Sequence, residues 1–153
     1  MLTSAVLAVC LNGAINHEGF RHKQYKDLNG MSIGFGYSLT QNPLHLSNAE
    51  INRYKQKGIS KLEAMRLTKM TFTKLDTELA GLSWYKGLNN TEQYVILDMS
   101  YNMGSSGISE FKKTIQLIKS KNNRAAAKEM LQSKWARQVK SRAIELANTL
   151  RDA

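Results

Sequence analysis

The chain has 153 residues, 42% of them hydrophobic, with 22 Lys and Arg against 12 Asp and Glu for a formal charge of +10. This is the length of one domain with enough apolar material for a core, which excludes a disordered tail, and no apolar run reaches the roughly 18–20 residues of a membrane-crossing helix. Cys10 has no partner in the chain, which excludes an intramolecular disulfide framework and the common zinc spacings; the positive balance points to an anionic partner without naming one.

In chain order, Ala5–Leu11 is an apolar run without the positive flank of a secretory signal, and is read as part of a core helix from Leu2 to about His17. Gly13 weakens that helix near its end. From Gln24 to Tyr37 strand-favouring residues alternate with Gly30, Gly34 and Gly36, and Asp27-Leu28-Asn29-Gly30 has hairpin chemistry. A small, tightly turned antiparallel sheet is expected there.

Ser60 followed by Glu63 is a capping box, and Leu62, Met65, Phe72, Leu75 and Leu79 then recur on one face of a helix of about twenty residues. At 1.5 Å per residue this is a rod of roughly 30 Å, long enough to join two lobes. Asn89 or Asn90 caps a helix through Tyr94-Val95-Ile96-Leu97-Asp98-Met99, apolar on most faces and therefore central; Gly104 and Gly107 are expected to break it. Further helices are marked by Phe111, Ile115 and Ile118, by residues 124–131 after Asn122-Asn123, and by residues 143–150. The fold class is thus α+β and mainly α, in one compact unit without repeats or low-complexity segments.

Residues 111–153 carry eleven Lys or Arg against three acidic residues, a local net charge of +8. Nucleic acid, anionic lipid or an acidic polysaccharide would each suit such a half, although no groove-reading motif is present. His17, His22 and His45 lack metal-ligand spacing, so surface or local hydrogen-bonding roles are expected of them and neither a metal nor a cofactor. Ser32 is not in a nucleophile elbow, and Gly30, Gly34 and Gly36 read GxxxGxG without leading into a helix, which fits hairpin geometry better than a phosphate cradle.

Glu18, Asp27 and Ser32 are more informative together. Glu18 follows the first helical stretch, where apolar residues such as Ile15 and Phe20 would favour its protonated form, whereas Asp27 falls in a polar, solvated turn. One carboxyl group able to give a proton to a leaving oxygen and one charged to act on the other face of a sugar are what glycosidic cleavage requires.

The run His17-Glu18-Gly19-Phe20-Arg21-His22-Lys23-Gln24-Tyr25-Lys26-Asp27, followed by Gly30-Met31-Ser32-Ile33-Gly34-Phe35-Gly36-Tyr37 and Leu39-Thr40, resembles the active-site signature of the T-even phage lysozymes and related endolysins. Asp98-Met99-Ser100-Tyr101-Asn102-Met103-Gly104, Ser133-Lys134-Trp135 and Arg142-Ala143 continue the resemblance in order over about 140 residues. It implies a two-lobed, lysozyme-like single domain over 1–153: an N-terminal lobe over about 14–59 with the small sheet, a connecting helix over about 60–80, and a helical C-terminal lobe over about 81–153 that includes the N-terminal helix. It also implies a muramidase that cleaves, with inversion, the β-1,4 bond between N-acetylmuramic acid and N-acetylglucosamine in bacterial peptidoglycan.

The resemblance assigns Glu18 as general acid, Asp27 as base or water-orienter, Ser32 as the hydroxyl that stands for the family's Thr, Arg142 as the ion-pair partner of Glu18, and Tyr101 and Asn102 as cleft-lining residues. No cofactor, metal, nucleic acid or stable membrane insertion is implied; a monomer is expected, held in the host bacterial cytoplasm until a holin or a larger particle delivers it to the wall. Three departures accompany the match. The Asp27–Ser32 hairpin is one residue shorter than usual, and Tyr37 replaces a His that makes a structural ion pair. Asn102 is shorter than the usual Gln, so one interaction across the cleft is either missing or bridged by water. The shortened hairpin supports an alternative, a lysozyme fold with weakened catalysis that binds the wall or acts as an effector.

Overall fold

The structure is a computed structural model that describes residues 2–27 and 30–153. The expected turn residues Leu28 and Asn29 lie outside the described residues. In chain order the elements are α1 (Ser4–Glu18), β1 (Arg21–Asp27), β2 (Gly30–Gly34), β3 (Tyr37–Ser38), α2 (Asn48–Lys57), α3 (Lys61–Leu79), α4 (Ser83–Lys86), α5 (Asn90–Ile108), α6 (Lys112–Lys119), α7 (Asn123–Met130), α8 (Lys134–Val139) and α9 (Ser141–Arg151). This is the α+β, mainly helical, two-lobed lysozyme-like fold that the sequence implies.

Helix α1 starts where the Thr3 hydroxyl accepts from the Val6 N–H at 3.2 Å, and buries Val6, Cys10, Gly13 and Ala14. Gly13 has a packing role there. A Cβ on it would stand 3.0 Å from the Tyr94 hydroxyl and 3.2 Å from an Asp98 carboxylate oxygen, so its bare backbone lets α1 lie close to α5. The helix stops at Gly19, whose φ of 68° turns the chain into β1 and leaves Glu18 on the last helical turn.

The sheet has the order β1-β2-β3, antiparallel throughout, with Asp27 opposite Gly30, Tyr25 opposite Ser32, and Ser32 opposite Ser38. Its inner face supplies Ile33 and, just beyond, Phe35, Tyr37 and Leu39 to a first apolar cluster, which α2 completes with Ile51 and Tyr54. Tyr37, in the place of the family's His, is buried and fastens the following loop: its hydroxyl donates to Asn42 Oδ1 at 2.7 Å and accepts from the Leu44 N–H at 3.1 Å. A hydrogen-bonded phenol thus stands at the position where the resemblance gives an ion pair that this chain lacks the His to make.

Helix α3 serves both halves. Ala64 and Leu67 enter the first cluster, while Phe72, Leu75 and Leu79 enter a larger helical one with α1, α5, α7 and α9. Nineteen residues make a rod of about 28 Å. The expected apolar stripe needs correcting at its start: Leu62 is 79% exposed and Met65 37% exposed, and the stripe begins instead at Ala64. Stepping back from Leu79 by threes and fours through Leu75, Phe72 and Thr68 arrives at Ala64, and Leu62 lies about 200° round from it. The two lobes set the phase of the rod, and the bulkier residues lose their place to a small one.

Asn89 and Glu92 form a reciprocal capping box at the start of α5, with bonds of 2.8 and 2.9 Å. Every residue from Val95 to Ser100 is buried, as a central helix requires. Gly104 breaks the helical geometry with φ 78° and ψ 164°, but Gly107 does not, and α5 runs on to Ile108. Helices α2, α4 and α8 carry too few apolar repeats to be read from the sequence.

Candidate active site

Five elements bring the site together. Glu18 is delivered by the end of α1, Asp27 by the end of β1, and Ser32 by the middle of β2. Tyr101 and Asn102 come from α5 just before the Gly104 kink, and Arg142 from the first turn of α9. All six border one groove between the lobes. A cleft of about 480 Å³ is lined by Glu18, Asp27, Asn102 and Arg142 together with Trp135, and an adjoining recess of about 80 Å³ by Glu18, Asp27, Ser32, Tyr101 and Asn102.

The two carboxylates occupy contrasting surroundings. The Glu18 side chain is 21% exposed and packed under Gly36, whereas Asp27 is exposed. Gly36 has φ 82°, and a Cβ on it would stand 3.0 Å from Glu18 Oε2 and 3.1 Å from the carboxyl carbon. The second glycine of the G-x-G therefore serves a turn and a close approach at once. The Ser32 hydroxyl, 1% exposed, donates to Asp27 Oδ2 at 2.5 Å, so the shorter hairpin keeps hydroxyl and carboxylate together.

Arg142, itself buried, spans two carboxylates. One guanidinium nitrogen donates to Glu18 Oε1 and the other to Asp98 Oδ1, and Asp98 is fully buried. A buried cation shared in this way needs both acceptors, because desolvated charge is tolerated only when paired. Asn102 Nδ2 also donates to Glu18 Oε1, at 3.2 Å. Tyr101 stacks on Phe72 with ring centroids 4.7 Å apart and donates to the Phe35 carbonyl at 2.9 Å, which ties α5 to the sheet behind the cleft. Burial pushes the Tyr101 hydroxyl well above its usual range; burial, followed by the charges of Glu18 and Asp27, pushes Tyr25 up to about 12.

Sequence reasoning misses three neighbours of this site. Asp98 is the lone carboxylate in an apolar helical run and sits one turn before Asn102, which is the signal that could have found it. Gly36 carries only the mark of a turn residue in the sequence. His17, expected to bond locally, places Nε2 2.9 Å from the Glu145 carboxylate on α9, beside the cleft. Among the described residues no cluster of His, Cys, Asp or Glu could hold a metal ion, and no helix is long and apolar enough to cross a membrane.

Residues 15–149 match the family model described as phage lysozyme. Among curated proteins, the chain is similar to probable T4-type lysozyme 1 of Dictyostelium discoideum, at 30% identity over 149 residues, 87% of this chain and 88% of the relative. It is also similar to probable T4-type lysozyme 2 of the same organism, at 28% over 141 residues, 82% and 83% of the two chains. With a match over nearly its whole length and a groove that gathers the residues of the resemblance, the chain belongs to the phage lysozyme family.

Proposed function

We propose that this lysozyme-type glycoside hydrolase cleaves the β-1,4 bond between N-acetylmuramic acid and N-acetylglucosamine by inversion, with Glu18 and Asp27 acting from opposite sides of the bound strand. The observation that carries this reading is the shared cleft: a half-buried carboxyl group and an exposed one border the same groove between the lobes. In the reaction Glu18 gives its proton to the glycosidic oxygen as the bond to the anomeric carbon breaks. Asp27 accepts a proton from a water that attacks the opposite face, and Ser32, bonded to Asp27, helps hold that water. Arg142 and Asn102 orient Glu18 through the oxygen they share, and Tyr101 keeps the cleft wall on the sheet.

The cluster of Lys and Arg over α6–α9 supports wall binding by attracting an anionic polymer. Host lysis by a monomer released to the wall fits this charge, and the Ser32–Asp27 hydrogen bond favours hydrolysis over a wall-binding protein with weakened catalysis. Mass spectrometry of digested murein tests the reading. Reducing muramic acid ends, formed first as the α anomer by NMR, are expected from the wild type, and Glu18→Gln should release none while remaining folded. Anhydro ends, or full activity of that variant, would overturn it.

A further inference from the structure

The apolar residues that α3 turns away from the core share one face. Winding at about 100° per residue, Leu62, Met65, Arg66, Lys69, Met70 and Thr73 fall within a single arc of about 140° over the first turns of the helix. All six are exposed, Leu62 at 79%, Met70 at 44% and Met65 at 37%. An isolated exposed apolar side chain is ordinary, and Val9, Phe20, Leu131 and Ile144 are of that kind, each on a different part of the chain. Three on one arc need a reason, and the packing of α3 supplies none, since its inward side is filled by Ala64, Leu67, Phe72 and Leu75. Two cations and no acid stand among them. Arg66 and Lys69 lie in the arc beside Leu62, Met65 and Met70, and among the described residues neither has an ion pair. The neighbouring acid, Glu63, lies outside the arc and is tied to Ser60 and, at 3.3 Å, to Arg53.

A face of this composition fits an anionic lipid surface. Aliphatic side chains enter the boundary between headgroups and acyl chains, while the stems of Arg and Lys lie along the apolar surface and their charged ends meet phosphate. A glycan strand has no apolar phase to receive Leu62, and a second copy packed through the same face about a two-fold axis would set Arg66 and Lys69 against their own kind. We propose that the outer face of α3 is a peripheral docking site for the anionic phospholipid surface of a bilayer. The contact is interfacial, since among the described residues no helix is long and apolar enough to cross a membrane. Thr71 and Leu75, on the opposite side of the rod, border the recess that Glu18, Asp27 and Ser32 also line, so a bilayer against Leu62 leaves the cleft uncovered. The docked protein keeps its groove free for a polymer lying outside the membrane. This inference does not depend on the hydrolase reading, because the face is remote from the catalytic groups.

The test is sedimentation of the full chain with vesicles of phosphatidylcholine alone and of phosphatidylcholine mixed with phosphatidylglycerol. Wild type should pellet with the anionic vesicles and not with the neutral ones. Leu62→Ser combined with Met65→Ser leaves the charge at +10 and touches only exposed positions; it should weaken that binding by at least about tenfold, through the apolar area lost from two side chains. Arg66→Gln with Lys69→Gln should weaken it more than Lys112→Gln with Lys113→Gln, which removes the same charge from α6. In bicelles of the anionic mixture carrying a spin-labelled lipid, the Met65 and Met70 methyl resonances should broaden before those of the buried Met99 and Met130. No pelleting with the anionic vesicles, equal binding by wild type and the Leu62/Met65 variant, or a greater loss from the α6 pair than from the α3 pair would overturn the proposal. A lipid-free dimer of the wild type that the Leu62/Met65 variant cannot form would also overturn it, by assigning the face to a second copy. Reducing-end release from soluble murein fragments should be equal in that variant and in wild type, so a failure of docking is distinguished from a failure of the hydrolase reading.

Discussion

Gly36 and Glu18 are fitted to one another: the backbone of the sheet passes so close to the carboxyl group that a methyl at Gly36 would stand 3.0 Å from Oε2. The position also holds φ at 82°, where any side chain is strained. Gly36→Ala should therefore cost about 1–3 kcal/mol of stability and displace Glu18 by enough to lower kcat by about a hundredfold. Urea unfolding and reducing-end release measure the two effects. A variant of lowered stability and full turnover would show that Glu18 needs no such confinement.

Ser32 donates to Asp27 at 2.5 Å from a buried position. Removing the hydroxyl by Ser32→Ala should cost only about 1 kcal/mol of stability, since Asp27 is exposed and can turn to water. Turnover should fall further, on the order of tenfold to a hundredfold, because the carboxylate loses the hydroxyl that helps to orient it. Ser32→Thr, which restores the hydroxyl, should recover most of it. If Ser32→Ala and Ser32→Thr prove equally impaired, the effect belongs to packing and not to the hydroxyl.

Asp98 and Arg142 form a buried pair whose cation also holds Glu18. Asp98→Ala leaves that guanidinium with one carboxylate in a desolvated site, and a loss of about 3–5 kcal/mol is expected in the unfolding free energy. Replacement by Asn, which keeps an acceptor for the guanidinium, should lose less. The comparison of urea midpoints for the two variants checks whether charge pairing or shape dominates, and equal losses would show that the charge alone counts.

Burial pushes the Cys10 thiol from 9.0 up to about 12, and burial likewise raises Tyr25 and Tyr37 from 10.0 to about 12. A raised folded value means that the native state holds the proton more tightly than the unfolded chain does. The stabilisation is complete below the unfolded values and is lost as pH climbs through the folded ones. Urea midpoints should therefore hold steady up to about pH 9 and fall between about 9 and 12, with the earliest part of the fall absent in Cys10→Ala. A midpoint unchanged at about pH 11.5 would contradict this. Below about pH 9 the buried thiol should also resist alkylation in the folded protein, a separate readout of the same burial.

Periodicity and caps alone determined a good part of this protein. An apolar run marked α1, the Ser60 cap with apolar spacing marked α3, and an Asn cap with an apolar run marked α5, while the glycines and strand formers marked a small sheet, because these signals are local and repeat within a turn or a hairpin. The active-site signature marked Glu18, Asp27 and Ser32, which lie within fifteen residues of one another. Tertiary structure decided the rest. Which face of the connecting helix is buried depended on two cores acting on one rod, and it displaced Leu62 and Met65 into solvent in favour of Ala64. That Asp98 shares Arg142 with Glu18, that Gly36 roofs Glu18, and that Trp135 borders the cleft with Asn102 are relations between elements far apart in the chain. A spacing rule has no reach over such separations, since only the packing of the two lobes brings those residues together.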